Sequence, residues 1–498
     1  MTWSAAIGDG PYSELRAHLL RADGQEDVAF ALWHPSTGRD RTTAVISRLI
    51  LPLPGDRAVH GNASFSPAYF ARALREAVSS GAGMALVHSH PRGEGWQGVS
   101  EDDAGAEREH APAAFGATGR PLLGMTMAGD GALSARVWIR EAVRMHRMRD
   151  CDSVRVVGER LTVFSPRRGS LPVPGSLVRT VSAWGPDAQS RLAGLRVGIV
   201  GLGSVGSVVA EALARTGVER IRLIDFDSAQ EVNHDRTLGA TRADVALARS
   251  KVEAARRRVQ RAAHSAILRV EEFESSVVEE DGFRAALDCD VLFSCVDRPW
   301  ARAALNLIAY AHLVPVIDGG IVVRTAAGAR MLGAEWRAHT AAPSRRCLEC
   351  LGQYDPGLVS AEREGYLDRP DYIEGLPDDH PARRHENVFA FGLADASLEV
   401  LQFLSLVVAP GGVADFGAQR YVVALGRIEL DSRPCEPECL YAGLFAGQGD
   451  DTGINVTGRH PAADTERTAR RARRGPRVRA LRAAATLAGA VERRLGLW

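Results

Sequence analysis

Val197-Gly-Ile-Val-Gly-Leu-Gly-Ser-Val-Gly206 decides the fold of the second half of this chain. Residues 195–200 are apolar enough for a buried strand, and 205–216 carry a helical pattern. Between them stands Gly201-x-Gly203-x-x-Gly206. Glycines at this spacing permit a tight strand-to-helix turn and close approach of a phosphate, which the helix N-terminus favours. A second strand at 220–224 ends in Asp225, about 20 residues on, where such folds place an acid for ribose hydroxyls. Residues 291–295 and 314–317 read as later strands. The expectation is a Rossmann-like α/β domain with a largely parallel sheet. The glycines alone fit NAD or FAD as well as ATP.

Working outward, residues 1–165 alternate strands (27–33, 44–53, 83–88, 135–139) with helices (11–21, 67–80), a second compact α/β domain. Residues 165–176 are rich in Pro, Gly and Ser. The division expected is a domain at 1–165, a linker at 166–178, a nucleotide-binding domain at 179–455, and an Arg-rich helical tail at 456–498.

The 498 residues carry 61 Lys plus Arg against 61 Asp plus Glu. Zero net charge argues against a dedicated nucleic-acid binder. No run of about 18 apolar residues suggests a transmembrane segment, and the first residues do not read as a secretory leader. Seven cysteines, an odd and sparse set, fit a reducing compartment, the cytoplasm. Lys251 is the only lysine, so arginine supplies the other 60 basic residues.

Leu86-Val-His-Ser-His-Pro91 ends an apolar run. Strand alternation puts His88 and His90 on one face, where both can hold one Zn²⁺. Ser100-Glu-Asp-Asp103 offers a carboxylate as third ligand, leaving a fourth position open for catalysis. Ser100 and Asp103 equally suit a helix N-cap and its acidic partner. Glu26 is a candidate general base. His88-x-His90 with Ser100-x-x-Asp103 resembles the motif of the JAMM (JAB/MPN+) metalloproteases, whose fold is cytidine-deaminase-like. The nine residues between His90 and Ser100 make a longer loop than is usual there. The resemblance implies that His88, His90 and Asp103 bind a catalytic zinc. It makes Glu26 the base, with Glu14 as the alternative, and Ser100 an oxyanion stabiliser. The family cleaves peptide or isopeptide bonds after ubiquitin-like C-termini.

Asp225-Phe-Asp-Ser-Ala-Gln-Glu-Val-Asn-His-Asp-Arg236, then Lys251, then Cys295-Val-Asp-Arg-Pro-Trp-Ala-Arg302 resemble in order and spacing the ThiF/MoeB/ubiquitin-activating enzyme family. That implies an adenylyltransferase using ATP and Mg²⁺. Gly201, Gly203 and Gly206 would frame the phosphates, Asp225 hold ribose, Asn233, Arg236 and Lys251 the triphosphate, and Asp297 the Mg²⁺. Gln189 matches the helix before the first strand, and Arg179 would reach across a homodimer as an arginine finger.

Cys347-x-x-Cys350 and Cys435-x-x-x-Cys439 offer four thiolates for a closed structural zinc; the ThiF resemblance implies the same. No cysteine stands between 351 and 434, the region where a ubiquitin-activating enzyme places its thioester cysteine. The Arg-rich tail, with an apolar stripe of Leu481, Leu487, Val491 and Leu495, suits either an acidic lipid or partner, or packing on the body. The combined resemblance implies a bifunctional enzyme for a ubiquitin-like modifier ending in Gly-Gly, working with a conjugating enzyme, as in bacterial antiviral conjugation systems. The alternative is activation of a sulfur carrier for a biosynthetic pathway.

Overall fold

The chain is described by a computed structural model covering residues 1–60, 62–142, 145–166, 174–265, 267–326, 330–377, 380–383 and 386–494. Most of the expected linker, 167–173, lies outside the described residues, as does Leu495 of the tail stripe.

The first half builds β1 (Thr2–Gly8), β2 (Val28–Thr37), β3 (Arg41–Ile50), the small hairpin β4 (Arg57–His60) and β5 (Asn62–Phe65), β6 (Gly83–His90), β7 (Leu122–Ala128), β8 (Leu133–Ala142), β9 (Met145–Asp150), β10 (Val154–Val157) and β11 (Leu161–Phe164). Nine of these form one mixed sheet in the order β11-β10-β1-β3-β2-β6-β7-β8-β9. Alternation sorts its core. Ala85 and Val87 of β6 face one apolar cluster, while Met84 and Leu86 face another that includes Tyr69 and Ala73 of the helix Pro67–Ser79. His88 continues the second face by period two.

The second half builds β12 (Arg196–Val200), β13 (Arg220–Ile224), β14 (Arg269–Phe273), β15 (Val291–Ser294), β16 (Val316–Ala326), β17 (Arg330–Ala341), β18 (Ala418–Val422) and β19 (Arg427–Asp431), ordered β14-β13-β12-β15-β16-β17-β18-β19. The first five are parallel, and β17 to β19 are antiparallel. The sheet is therefore mixed rather than largely parallel throughout. Only 327–329 separate β16 from β17 and 423–426 separate β18 from β19, too short for a crossover helix. Phe389–Val407 is apolar and long enough to cross a bilayer by composition alone. It buries Asp395 and Glu399 and packs on β16, β17 and the helix Ser204–Thr216.

The two halves share a core. Ala6, Val45, Val157 and Leu161 cluster with Leu195, Val197, Phe293 and Ile317. At the amino-terminal edge of the second sheet, Asp288 accepts the backbone N–H groups of Arg39, Asp40 and Arg41 at 3.1, 3.1 and 2.9 Å. Gly38 must lack a Cβ there, since one would collide with the Asp288 carboxylate. Asp290 takes Arg41 at 2.7 Å and Arg155 at 3.0 Å, both guanidiniums fully buried. These contacts sit around the β2–β3 turn. His88 pairs with Val28 at the other end of β2, nine residues before Thr37, or about 30 Å away at a strand's rise.

The helices Pro461–Arg473 and Pro476–Arg494 pack against the second half. Arg467, Arg470, Arg474 and Arg482 face the body, with Arg470 buried against Glu274, while Leu481 and Leu487 are exposed.

Candidate functional site

The strand–turn–helix at Gly201 builds one wall of a cleft of about 890 Å³ at the carboxyl ends of β12, β13 and β15. Each glycine has its own reason. Gly201 has φ +87° and lies where a Cβ would strike the Cys295 carbonyl. A Cβ on Gly206 would strike the Gly201 carbonyl, so Gly206 lets the helix Ser204–Thr216 seat on the turn. It packs and does not line the cleft. Gly203 has open space where its side chain would be, beside the helix N-terminus, the place for a phosphate.

Asp225 ends β13 with both oxygens engaged. It accepts the Leu202 amide at 2.6 Å and the Asp227 amide at 2.7 Å. Burial pushes its carboxyl up to about 6 against the pull of Lys251. Lys251 opens the helix Lys251–Ala262, capped by Ser250. Its side chain is 10% exposed and its Nζ donates to Asp227 at 2.7 Å. Burial opposes the charge, but Asp225, Asp227 and Asp297 raise the ammonium's pKa above the ordinary lysine range. The single lysine is thus a cleft cation and not a solvated helix residue. Arg236 donates to Asn233 Oδ1 at 3.3 Å and to the Val232 carbonyl at 2.8 Å, and both residues line the cleft with Asp297, Glu386 and Asn387.

Two residues of the helix before β12 stand away from this chain's cleft. Arg179 is exposed on the helix Val178–Gly194 and does not line this chain's cleft. Gln189 is structural: it joins Trp184 at 3.1 Å and the Thr216 carbonyl at 3.0 Å. The structure adds a group that sequence reading passed over. Asp395 and Glu399 lie fully buried behind Gly319 of the cleft wall, where a Cβ would strike Glu399. Burial pushes Asp395 up to about 8. Two acids four residues apart in an otherwise apolar helix were the available signal.

In the first half, β6 delivers both histidines, and Asp103 comes from the first turn of the helix Glu101–Thr118. His88 Nε2 and His90 Nε2 are 3.2 Å apart, and each is 3.3 Å from Asp103 Oδ2. Ligands about 2.0–2.1 Å from a tetrahedral zinc stand ~3.3 Å from one another, so this triangle has the edge such an ion requires. Ser100 caps the helix through the Asp103 amide at 3.1 Å and donates to Asp103 Oδ2 at 2.6 Å. Its hydroxyl is thus committed to the Asp103 carboxylate, and the oxyanion role expected of it needs that bond exchanged. Glu26 lies two residues before β2, next to Asp27, whose amide donates to Ser89 Oγ at 2.9 Å and whose carbonyl accepts the Ser89 amide at 3.1 Å, so the chain brings Glu26 to the end of β6 that carries His88 and His90. Glu14 is exposed on the helix Asp9–Leu19. Asp27, unremarked in the sequence, is fully buried and holds Arg57 at 2.6 Å, fixing the strand start beside Glu26. The long loop after His90 is pinned by Gly93 and Gly129 at 2.9 Å, and its Trp96 packs on the core.

Cys347, Cys350, Cys435 and Cys439 converge with all four Sγ atoms within 4.8 Å. Cys347 and Cys439 are 3.6 Å apart, near the ~3.8 Å edge of a tetrahedron with Zn–S of about 2.3 Å. Backbone amides of Cys350 and Cys347 point at Cys347 Sγ and Cys435 Sγ at 3.3 and 3.1 Å, the orientation that supports thiolate ligands. The four thiols form a possible zinc site joining the segment after β17 to that after β19. Cys151 and Cys289 are buried, and Cys295 borders the cleft with its thiol pushed up by burial and by Glu399.

Residues 176–399 match the model of the ThiF family. The chain is 32% identical over 170 residues to molybdopterin-synthase adenylyltransferase of Escherichia coli (strain K12), 34% of this chain and 62% of that protein. It is 32% identical over 142 residues to ubiquitin-like modifier-activating enzyme 5 of Drosophila willistoni, 26% of this chain and 34% of that one. The chain thus spans less than two thirds of these relatives' length. A solved structure of E. coli MccB with MccA-N7isoASN aligns over 55% of this chain and 75% of that one, at 18% identity and TM-score 0.42.

Proposed function

We propose, proceeding from the ThiF family domain at residues 176–399, that this chain adenylates the C-terminal carboxylate of a small ubiquitin-like protein with ATP. The observation that carries this is Lys251, the only lysine, held in the cleft by Asp227 beside the glycine turn. The substrate carboxylate attacks the α-phosphorus. A bond forms from carboxylate oxygen to phosphorus as the bond to pyrophosphate breaks. Lys251 and Arg236 neutralise the departing charge, and Asn233 keeps Arg236 oriented. Asp225 accepts from ribose. Asp297 would hold Mg²⁺, which when bound supplies further charge neutralisation. The mobile negative charge grows on pyrophosphate in the transition state, so these cations favour the transition state over bound ATP.

Arg179 has a place in this reading only if a second copy approaches. A homodimer through the ThiF domain would bring it to the neighbour's cleft. With no cysteine at 351–434, this chain's own chemistry ends at the acyl-adenylate, and a conjugating enzyme or other thiol partner takes the acyl group. The reduced cysteines suit the cytoplasm. The 32% identity to the molybdopterin-synthase adenylyltransferase favours a second reading of the same chemistry, in which the activated partner is a sulfur carrier.

The first half is proposed to be a JAMM-like zinc protease that cleaves after the same partner. The His88–His90–Asp103 triangle supports this. A zinc ion bound there supplies the Lewis acid for hydrolysis. Glu26 would accept the proton of the attacking water, and Ser100 and Asp27 position the ligand carboxylate and the base. The two sites lie on separate sheets with the domain interface between them, so each works on a partner bound from solution.

ATP–pyrophosphate exchange tests the adenylation reading. Exchange should require a small partner protein ending in Gly-Gly and disappear when its final carboxylate is amidated. Exchange that ignores the amide, or none with any such protein, would remove it.

A further inference from the structure

We infer that the Arg-rich tail, which lies outside the ThiF match, is a positioning clamp for Lys251; this rests on the reading of Lys251 as the phosphate-binding cation. The tail arginines contact the turn and first helical turn on both sides of that residue. Arg482 donates to the Leu247 carbonyl at 3.1 Å and to Glu253 at 2.8 Å. Arg474 donates to the Ala248 carbonyl at 3.0 Å. Arg470 reaches Glu274 at 3.2 Å, and Glu274 accepts from Ser250, the N-cap residue, at 2.7 Å. Arg470 also donates to the carbonyl of Phe226, between Asp225 and Asp227, at 3.4 Å.

The held segment needs holding. Ala248 has φ +46°, a left-handed conformation that costs energy in any residue with a Cβ. Its carbonyl is the one Arg474 takes. Ser250 and Glu253 are the first-turn contacts that set the direction of the helix Lys251–Ala262, and hence where its ammonium stands relative to the glycine turn. Guanidiniums suit this work, because one planar fork can bind a carbonyl and a carboxylate at once. Arg467 acts alike on the facing wall: it grips Glu279 at 2.6 and 2.9 Å, and Glu279 accepts the Ser276 amide at the cleft. The tail is therefore read as part of the nucleotide site, not as a membrane or partner hook.

The test uses the full chain carrying Arg474→Gln with Arg482→Gln. Displacing a catalytic cation by about 1 Å can cost on the order of 10²-fold; the pyrophosphate-exchange rate at saturating ATP should fall at least about tenfold. In a Lys251→Ala background the same pair should change the residual rate less than about twofold, because the clamp then has nothing to position. An unchanged rate with Lys251 present, or an equal loss in both backgrounds, overturns the inference. Hydrogen exchange on the same double variant covers the case of a destabilised protein. Amides at 247–253 should lose protection before those of Ser204–Thr216, and a simultaneous loss overturns the clamp. Lys251→Ala alone exchanging at the wild-type rate would instead sink the underlying reading of Lys251.

Discussion

Asp290→Ala should cost about 3–5 kcal/mol of stability, the range for removing one partner of a buried ion pair. The carboxylate serves Arg41 at 2.7 Å and Arg155 at 3.0 Å and also accepts the Arg196 amide at 3.0 Å. Both guanidiniums are fully buried, so alanine leaves two charges in the interface. The loss is limited because Arg41 keeps the Cys289 carbonyl at 2.7 Å. Urea unfolding followed by tryptophan fluorescence reads the effect, since Trp33 and Trp138 report on the first half and Trp300 on the second. Wild type should unfold in one transition with all reporters together. The pH dependence has a defined sign. Burial raises the Asp290 carboxyl, but Arg41 and Arg155 overcome it and hold it well below the usual carboxylate range. A depressed native pKa contributes stability above the unfolded value of about 4 and loses it as the pH falls. The difference between variant and wild type should therefore shrink in acid. Asp371→Ala, whose partner Arg369 is exposed, is the control and should cost less than about 1 kcal/mol. A loss no greater than that control at Asp290 would refute the view that the two halves are locked by a buried network.

Purified protein should hold about two zinc ions, and His88→Ala should hold one fewer. Glu26→Gln should keep its zinc yet lose cleavage of a partner-protein fusion; retained cleavage would move the base elsewhere. Cys347→Ser should release the second zinc and lower stability by several kcal/mol, because structural metal binding is folding energy. Unchanged zinc content and melting would refute that site. Mixing His88→Ala chains with Lys251→Ala chains should restore cleavage followed by adenylation at half the rate expected of the same total wild-type protein, since each site works from solution. Failure to complement would show that the partner passes between sites of one chain.

The parts of this protein legible in the sequence were those encoded locally. Gly201-x-Gly203-x-x-Gly206 announces its turn because the spacing lies wholly within one strand–turn–helix, with Gly206 seated on the Gly201 carbonyl five residues before it. His88 and His90 announce their shared face by period two, and Cys347-x-x-Cys350 announces a ligand pair by spacing. The roles left hidden depend on partners far along the chain. Asp288 and Asp290 carry no local signal, yet they bind residues 39–41 and 155. The tail's apolar stripe suited either an acidic lipid or partner, or packing on the body. It packs, but through Arg474 and Arg482, which turn inward because carbonyls at 247 and 248 and the carboxylate of Glu253 await them, which no periodicity records. Gly206 lay within a binding fingerprint, but only the packed structure separates the glycine that makes room for phosphate from the one that seats a helix. The antiparallel β17–β19 extension was missed because its connections, not its residue pattern, set the strand direction.

The most direct measurement of the central claim is pyrophosphate exchange by Lys251→Arg, with an ATP-binding measurement on the same protein. Lys251 Nζ sits 2.7 Å from Asp227 in a side-chain site only 10% exposed, and a compact ammonium is a point charge that a planar fork does not reproduce. The account predicts that ATP binding changes little while exchange falls on the order of 10²-fold, even though this chain uses arginine at its other 60 basic positions. Exchange at the wild-type rate by Lys251→Arg would contradict it.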